Sequence, residues 1–177
     1  MSTINKNYIK LSEFRFMPET IIYYFWFNKN CFKELFKLLE EVIDYSKIKI
    51  KKFNEEEYGL LYIGETEKGY ERLIQWHILD SQNLHEKGVI NKRLSSLRQT
   101  LCGLLELEMS KSREKITNLF LENCIIEYEE CEKDKLKKTE KEKIQSFYLP
   151  LNYQHTTKNL TKRHREILTD CKNKQRK

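Results

Sequence analysis

The sequence of 177 residues predicts an α/β or α+β layered domain. Three observations carry that prediction. Runs dense in β-branched and aromatic residues, above all IIYYFWF at 21–27, have the composition of buried strands. Other segments repeat apolar residues at steps of three and four, the spacing of amphipathic helices. The two kinds of segment interleave along the chain instead of separating into blocks. One domain with a real core is expected at this length. Tyr, Phe and Trp, 12% of the residues, supply core material despite a charged fraction of 34%.

Residues 1–19 are polar with scattered aromatics and close at Pro18, so they are expected to form an N-terminal extension before the first strand. Between Cys31 and Asp44, Phe32, Leu35, Phe36, Leu39, Val42 and Ile43 fall at helical steps behind a capping Asn30, which predicts a helix over 31–44. KIKIKKF, 47–53, alternates like an edge strand with its lysines outward. YGLLYIG, 58–64, reads as a central strand, with Gly64 free to turn the chain after it. A helix from about Glu67 to Asp80 carries Leu73, Ile74, His77 and Ile78 on one stripe, and the polar loop LDSQNLHEKGV follows. A second helix, 91–109, carries Leu94, Leu97, Leu101, Leu104 and Leu105. A short helix near 112–122 leads into CIIEYEE, whose alternation makes it the third main strand. A charged helix at 134–148 is ended by Pro150. Leu160, His164, Ile167, Leu168 and Cys171 form a last amphipathic helix, so that 20–154 is the expected core and 155–177 a basic C-terminal helix and tail.

The formal charge of +6 is confined to that tail, where eight Lys or Arg face two acids while residues 1–154 hold 25 of each sign. A basic end of this kind either contacts phosphates or is simply solvated. The five cysteines, Cys31, Cys102, Cys124, Cys131 and Cys171, are odd in number, lack CxxC spacing and follow no signal-peptide pattern. They read as reduced thiols of a cytoplasmic protein. No apolar run approaches the roughly 20 residues needed to cross a bilayer.

Two features suggest chemistry. Leu136, Ile144 and Phe147 define the apolar stripe of the charged helix, and Glu140 falls on that stripe. An inward carboxylate needs compensation, either from an arginine or from a divalent cation. Tyr62, Gly64, Arg72 and His77 then follow one another across a strand, a turn and the start of a helix, so that a phenol and a guanidinium can face one spot. Arginine holds a phosphate bidentately and stabilises charge developing on it. Taken singly, each of these residues also has a purely structural reading.

In order and spacing, these residues resemble the GIY-YIG nuclease superfamily. IIY at 21–23 stands for its first motif and YIG at 62–64 for its second; Arg72 lies eight residues after Gly64, and Asn152 twelve after Glu140. RLIQWHI, SSLRQTLCGLL and FYLPLNYQH are similar to an uncharacterised bacterial branch with a Ser-x-Leu-Arg helix and a Leu-Pro-Leu-Asn stop. The resemblance implies a small central three-stranded, mainly antiparallel sheet flanked by helices. It also implies metal-dependent hydrolysis of DNA phosphodiester bonds, with Glu140 holding Mg²⁺ or Mn²⁺. In that scheme Tyr23 acts on the attacking water, Tyr62 orients water or phosphate, Arg72 and His77 assist by charge and position, and Asn152 braces the site. Arg98 would support the site or contact a phosphate, as would Lys162, Arg163 and Arg165; His155 and His164 are weaker candidates. Cutting both strands of a duplex would take a homodimer or two successive cuts.

The chain departs from the pattern at Ile21, where the motif has glycine, at the insertion 31–44, and at Glu65, where many relatives carry lysine. Tyr24 neighbours Tyr23, and only one of the two can point into a site on one face of the strand. Two other readings stand beside the nuclease: a nucleic-acid-binding module of the same fold that does not cleave, and a structural protein that docks on a partner.

Overall fold

The computed structural model describes residues 2–4, 18–79 and 95–174. Most of the expected N-terminal extension, the polar loop from residue 80, the first residues of the helix expected over 91–109 and the last three residues lie outside this set. The described strands are β1 (Ser2–Ile4), β2 (Ile21–Asn28), β3 (Ile50–Phe53), β4 (Glu56–Thr66) and β5 (Cys124–Glu130). They form one antiparallel sheet in the order β1-β5-β2-β4-β3. The three main strands expected from sequence are its centre, β3 is the expected lysine-rich edge, and β1 is an additional strand from within the predicted extension.

Why IIYYFWF is apolar on both sides of its pleat is plain from this order. β2 lies between β4 and β5, and all eight of its residues are buried. Ile21, Tyr23, Phe25 and Phe27 point into one core, with α2 (Ser96–Leu104), α3 (Arg113–Asn123) and α5 (Lys162–Lys174) packed over it. Ile22, Tyr24 and Trp26 point into a second core closed by Leu136 and Ile144 of α4 (Leu136–Ser146) and by Leu149. The domain is therefore helix, sheet, helix, and a strand covered on both faces loses the alternation of a half-exposed one.

Five helical expectations are adjusted, one being the helix expected over 91–109, which within the described residues runs Ser96–Leu104 and closes at Leu105. The segment 31–44 is not one helix: it holds a single turn, α1 (Phe32–Leu35), between short 3₁₀ turns at Lys29–Cys31 and Lys37–Leu39. Its cap is Asn28, whose side chain accepts from the Asn30 amide at 2.9 Å. The apolar stripe is still used, since Phe32, Leu35, Phe36 and Leu39 are all buried; tertiary packing, not continuous backbone bonding, holds the segment. The helix expected over 67–80 is a π-helix at Glu71–Ile78. α4 stops at Ser146, short of Pro150. The last helix starts at Lys162, after Leu160.

α5 is docked, not trailing. It approaches α2 so closely that a Cβ on Gly103 would lie 2.5 Å from Cys171 Cβ, and His164, fully buried, donates Nε2–H to the Pro150 carbonyl at 3.0 Å. None of the five cysteines is in a disulfide. Among the described residues no helix is long and apolar enough to cross a membrane.

Candidate active site

Two tyrosines thirty-nine residues apart in the chain, Tyr23 and Tyr62, are brought to one face by a backbone irregularity. Tyr58 and Leu60 of β4 point into the α4-side core, and regular alternation would send Tyr62 there too. The register with β2 slips between Phe25 and Trp26, which pair with Tyr62 and Leu60, so Leu61 is an extra residue on β4. This β-bulge turns both Leu61 and Tyr62 to the face of Tyr23. The rings of Tyr23 and Tyr62 then stack at 6.4 Å between centroids. Gly64 is opposite Tyr23 in the ladder, and a Cβ there would stand 2.5 Å from the Tyr23 hydroxyl. It is thus needed for close approach of a ring, not for a turn, because β4 runs on to Thr66. Tyr24 faces the opposite core and donates its hydroxyl to Glu129 at 2.5 Å. Tyr23 is the inward tyrosine of the pair.

A second irregularity aims Arg72 and His77. Residues five apart on an α-helix are about 140° apart at roughly 100° per residue. In the π-helix, i→i+5 bonding such as Leu79 N–H to Ile74 C=O, 2.9 Å, sets residues five apart nearly one above the other. His77 is fully buried; its Nε2 is 2.9 Å from the Tyr23 hydroxyl and its Nδ1 is 2.5 Å from Ser95 Oγ. The Arg72 guanidinium lies 5.0 Å from the centre of the Trp76 ring. Its charge opposes the rise in both phenol pKa values.

Burial is the main cause that lifts Tyr23 well above the ordinary phenol value, with Tyr62, Glu140 and Glu65 adding to it and Arg72 subtracting. Tyr62 is raised first by burial and then by Glu140, while Arg72 and a hydrogen bond from Ser96 pull it down. Tyr23, Tyr62, Arg72, Glu140 and Glu65 thus feel one another's charge.

Glu140 is half-buried between Leu136 and Ile144, and desolvation together with the charge of Glu65 pushes its carboxyl up to about 7. Glu65 is itself raised, mainly by burial. Two other acids on this side of the sheet are compensated. Glu127 has Lys51, and Glu129 has both Lys143 at 2.9 Å and the Tyr24 hydroxyl. Glu140 forms no ion pair with any described residue.

Asn152 ties the chain after α4 to β4. Its Oδ1 accepts from Ile63 N–H at 3.0 Å and its Nδ2 donates to Ile63 C=O at 2.8 Å, while Leu151 N–H donates to Leu61 C=O at 3.1 Å. The chain after α4 is thereby fastened along β4 beside Tyr62.

The sequence model of the GIY-YIG catalytic domain matches residues 21–174, which takes in every one of these groups. The chain belongs to the GIY-YIG family. No curated protein and no solved structure is detectably similar to it.

GIY-YIG nucleases generally use divalent metals. The donor set here is compatible with such an ion: a carboxylate without a cationic partner, its proton affinity raised, beside a second acid. Among the described residues no group of three or more His, Cys, Asp or Glu could hold a metal by itself. One carboxylate suits an ion that keeps several waters and takes further oxygens from substrate phosphate, as Mg²⁺ does.

Not every expected GIY-YIG site residue reaches the cluster. Arg98 lies beneath it: 1% exposed, it donates to the carbonyls of His77 at 3.0 Å, Ile78 at 2.8 Å and Arg113 at 3.1 Å, which turns the guanidinium toward backbone, in keeping with the supporting one of its expected roles. Lys162, Arg163 and Arg165 stand together on the first turn of α5, with Lys162 3.8 Å from Glu166. His155 is exposed at φ 59°, and His164 is bonded to Pro150. Sequence reasoning missed Ser95 and Ser96. Their signal was present in SSLRQ, where a serine three residues before an arginine opens a helix.

Proposed function

We propose that this chain is an endonuclease that hydrolyses DNA phosphodiester bonds with Mg²⁺ or Mn²⁺ bound at Glu140, acting in the cytoplasm. One observation carries the reading: two phenols, a guanidinium and an uncompensated carboxylate share one electrostatic neighbourhood although they come from four separate elements.

Arg72 binds the scissile phosphate and stabilises the charge that develops on it. Tyr62 keeps some surface exposure and lies over Tyr23, so water reaches Tyr23 when the Tyr62 ring moves aside. Tyr23 is a poor base alone, since burial holds its proton tightly. His77 supplies what it lacks: as the attacking water gives a proton to the Tyr23 oxygen, the phenol proton passes to Nε2. The water oxygen forms its bond to phosphorus, and the bond to the leaving oxygen breaks with its electron pair staying on that oxygen. The chemistry a metal at Glu140 supplies is stabilisation of that charge. Lys162, Arg163 and Arg165 hold flanking phosphates.

The test is cleavage of supercoiled plasmid. The wild type nicks it with Mg²⁺ and not with chelator, and Glu140→Ala is inactive. Equal activity of the two, or no cleavage by the wild type across metals and substrates, removes the enzyme reading. The second reading, a module that binds without cutting, is favoured by Glu65 standing where a lysine is usual; DNA binding by an inactive wild type would establish it.

A further inference from the structure

In the Ser-x-Leu-Arg run that opens α2 both the serine and the arginine are withdrawn from solvent: Ser95 is fully buried and Arg98 is 1% exposed. Both polar side chains end on the same residue. Ser95 Oγ is 2.5 Å from His77 Nδ1, and the Arg98 guanidinium donates to the His77 and Ile78 carbonyls, at the end of the π-helix. The two are also joined to each other, because the Arg98 backbone N–H donates to Ser95 Oγ at 3.1 Å as the helix cap. We propose that Ser95 and Arg98 form a clamp that positions His77, with the Ser95 oxygen accepting the imidazole proton on Nδ1 and so presenting the Nε2 lone pair to Tyr23.

Either tautomer leaves one hydroxyl proton without an acceptor among the described residues, that of Ser95 in this arrangement and that of Tyr23 in the opposite one, and donor strength decides between them. The serine oxygen has two lone pairs. One takes the Arg98 amide, and the other is free for Nδ1–H. In the opposite arrangement Ser95 would donate to Nδ1, and Nε2–H would face the Tyr23 oxygen. The Tyr23 proton would then have no acceptor among the described residues, since His77 is the single hydrogen-bond partner of that hydroxyl there. A phenol is a far stronger acid than an aliphatic alcohol, so it is the better donor to the one imidazole lone pair available. Arg98 holds the other coordinate. By gripping two successive carbonyls it fixes the depth at which the imidazole hangs from the π-helix, and the remaining reach of its guanidinium, to Arg113 C=O, ties that end to α3. Neither residue touches a reacting atom; both act through His77.

The inference rests on Tyr23 and His77 being the reacting pair, but its test does not need cleavage. Long-range ¹H–¹⁵N correlation on protein labelled at its four histidines, with His77 assigned through His77→Gln, reads which ring nitrogen carries the proton. The wild type is expected to show His77 protonated on Nδ1. Ser95→Gly keeps a helix start that glycine tolerates while deleting the oxygen, and the tautomer is expected to shift toward Nε2–H or to average. Ser95→Thr restores it. In the plasmid assay Ser95→Gly is expected to lower kcat at least tenfold with KM within twofold, and Ser95→Thr to recover most of the loss. An Nε2–H tautomer in the wild type, or a tautomer unmoved in Ser95→Gly, overturns the proposal whether or not the protein cleaves DNA.

Discussion

The carboxylate of Glu140 should make the metal-free protein less stable than it would be without that charge. In the folded chain this carboxyl titrates near 7, against 4.5 for an ordinary glutamate, chiefly because α4 carries it into the partly dry space between Leu136 and Ile144, and secondarily because Glu65 is close. The folded state therefore binds the proton more tightly than the unfolded state does. Below pH 4.5 the group is protonated in both and has no effect. As the pH rises from 4.5 to 7 the unfolded chain is favoured, and above 7 the penalty is constant. Each tenfold change in proton affinity is worth about 1.4 kcal/mol, so the upper bound is about 3 kcal/mol. The side chain keeps some contact with water, which screens its charge and brings the expected figure to about 1–2 kcal/mol. Glu140→Gln preserves the shape and removes the charge. Urea denaturation in chelator at pH 8 should find the variant more stable by that amount, and at pH 4.5 the two proteins should coincide. Millimolar Mg²⁺ at pH 8 should raise the wild-type midpoint and leave that of the variant unmoved. If the variant is no more stable at pH 8, or is equally advantaged at both pH values, the charge is not what the fold opposes, and the case for a cation at this position goes with it.

Gly64→Ala places a methyl group 2.5 Å from the Tyr23 hydroxyl, inside a packed ladder; a loss of about 1–3 kcal/mol in urea and of nearly all cleavage is expected, and an active, fully stable variant would contradict the stacked geometry. Arg98→Met removes a donor from the carbonyls of His77, Ile78 and Arg113, although Ile78 keeps the Thr117 hydroxyl at 3.0 Å. At about 1–3 kcal/mol for a buried group left unsatisfied, it should cost about 1–3 kcal/mol, measured by the same denaturation. Replacing Lys162, Arg163 and Arg165 together by alanine should leave the urea midpoint within about 0.5 kcal/mol, as for exposed positions generally. It should also flatten the dependence of log K on log salt for duplex DNA by up to about 3, at about 0.9 per lost phosphate contact. An unchanged slope would place the DNA elsewhere.

The layered architecture was legible in the sequence because burial leaves a compositional trace. β2 lies mid-sheet under helices on both faces, so it has no polar side to show and reads as a continuous apolar run. β3 forms an edge and reads as alternating lysines. Glu140 was legible for the converse reason, a charge on an otherwise apolar stripe. The segment 31–44 misled because a stripe at helical spacing records which side chains are buried, and short turns satisfy that demand as well as one helix does. β1 left no trace, since three residues carry too little pattern to distinguish a strand from coil.

The site itself depends on two departures from regular backbone that no periodic template contains. The odd-numbered offset between the strand-face residues Leu60 and Ile63 shows the effect of the bulge: both point to the α4 side, with Leu61 and Tyr62 together on the other. Without the extra residue Tyr62 would share the core of Leu60, and Gly64 would no longer lie against Tyr23. The π-helix does the same for the next element. Leu73, Ile74, His77 and Ile78 satisfy an α-helical stripe well enough to suggest one, yet Arg72 and His77 act on the same phenol only because the turn is wide. Both irregularities carry an energetic cost in lost ladder and helix regularity. Both sit at the one place in the domain where groups from different elements must converge, and the sheet and helices around them are regular. Local irregularity kept within a firmly packed frame is what a site needs when it must aim side chains that regular periodicity would turn apart.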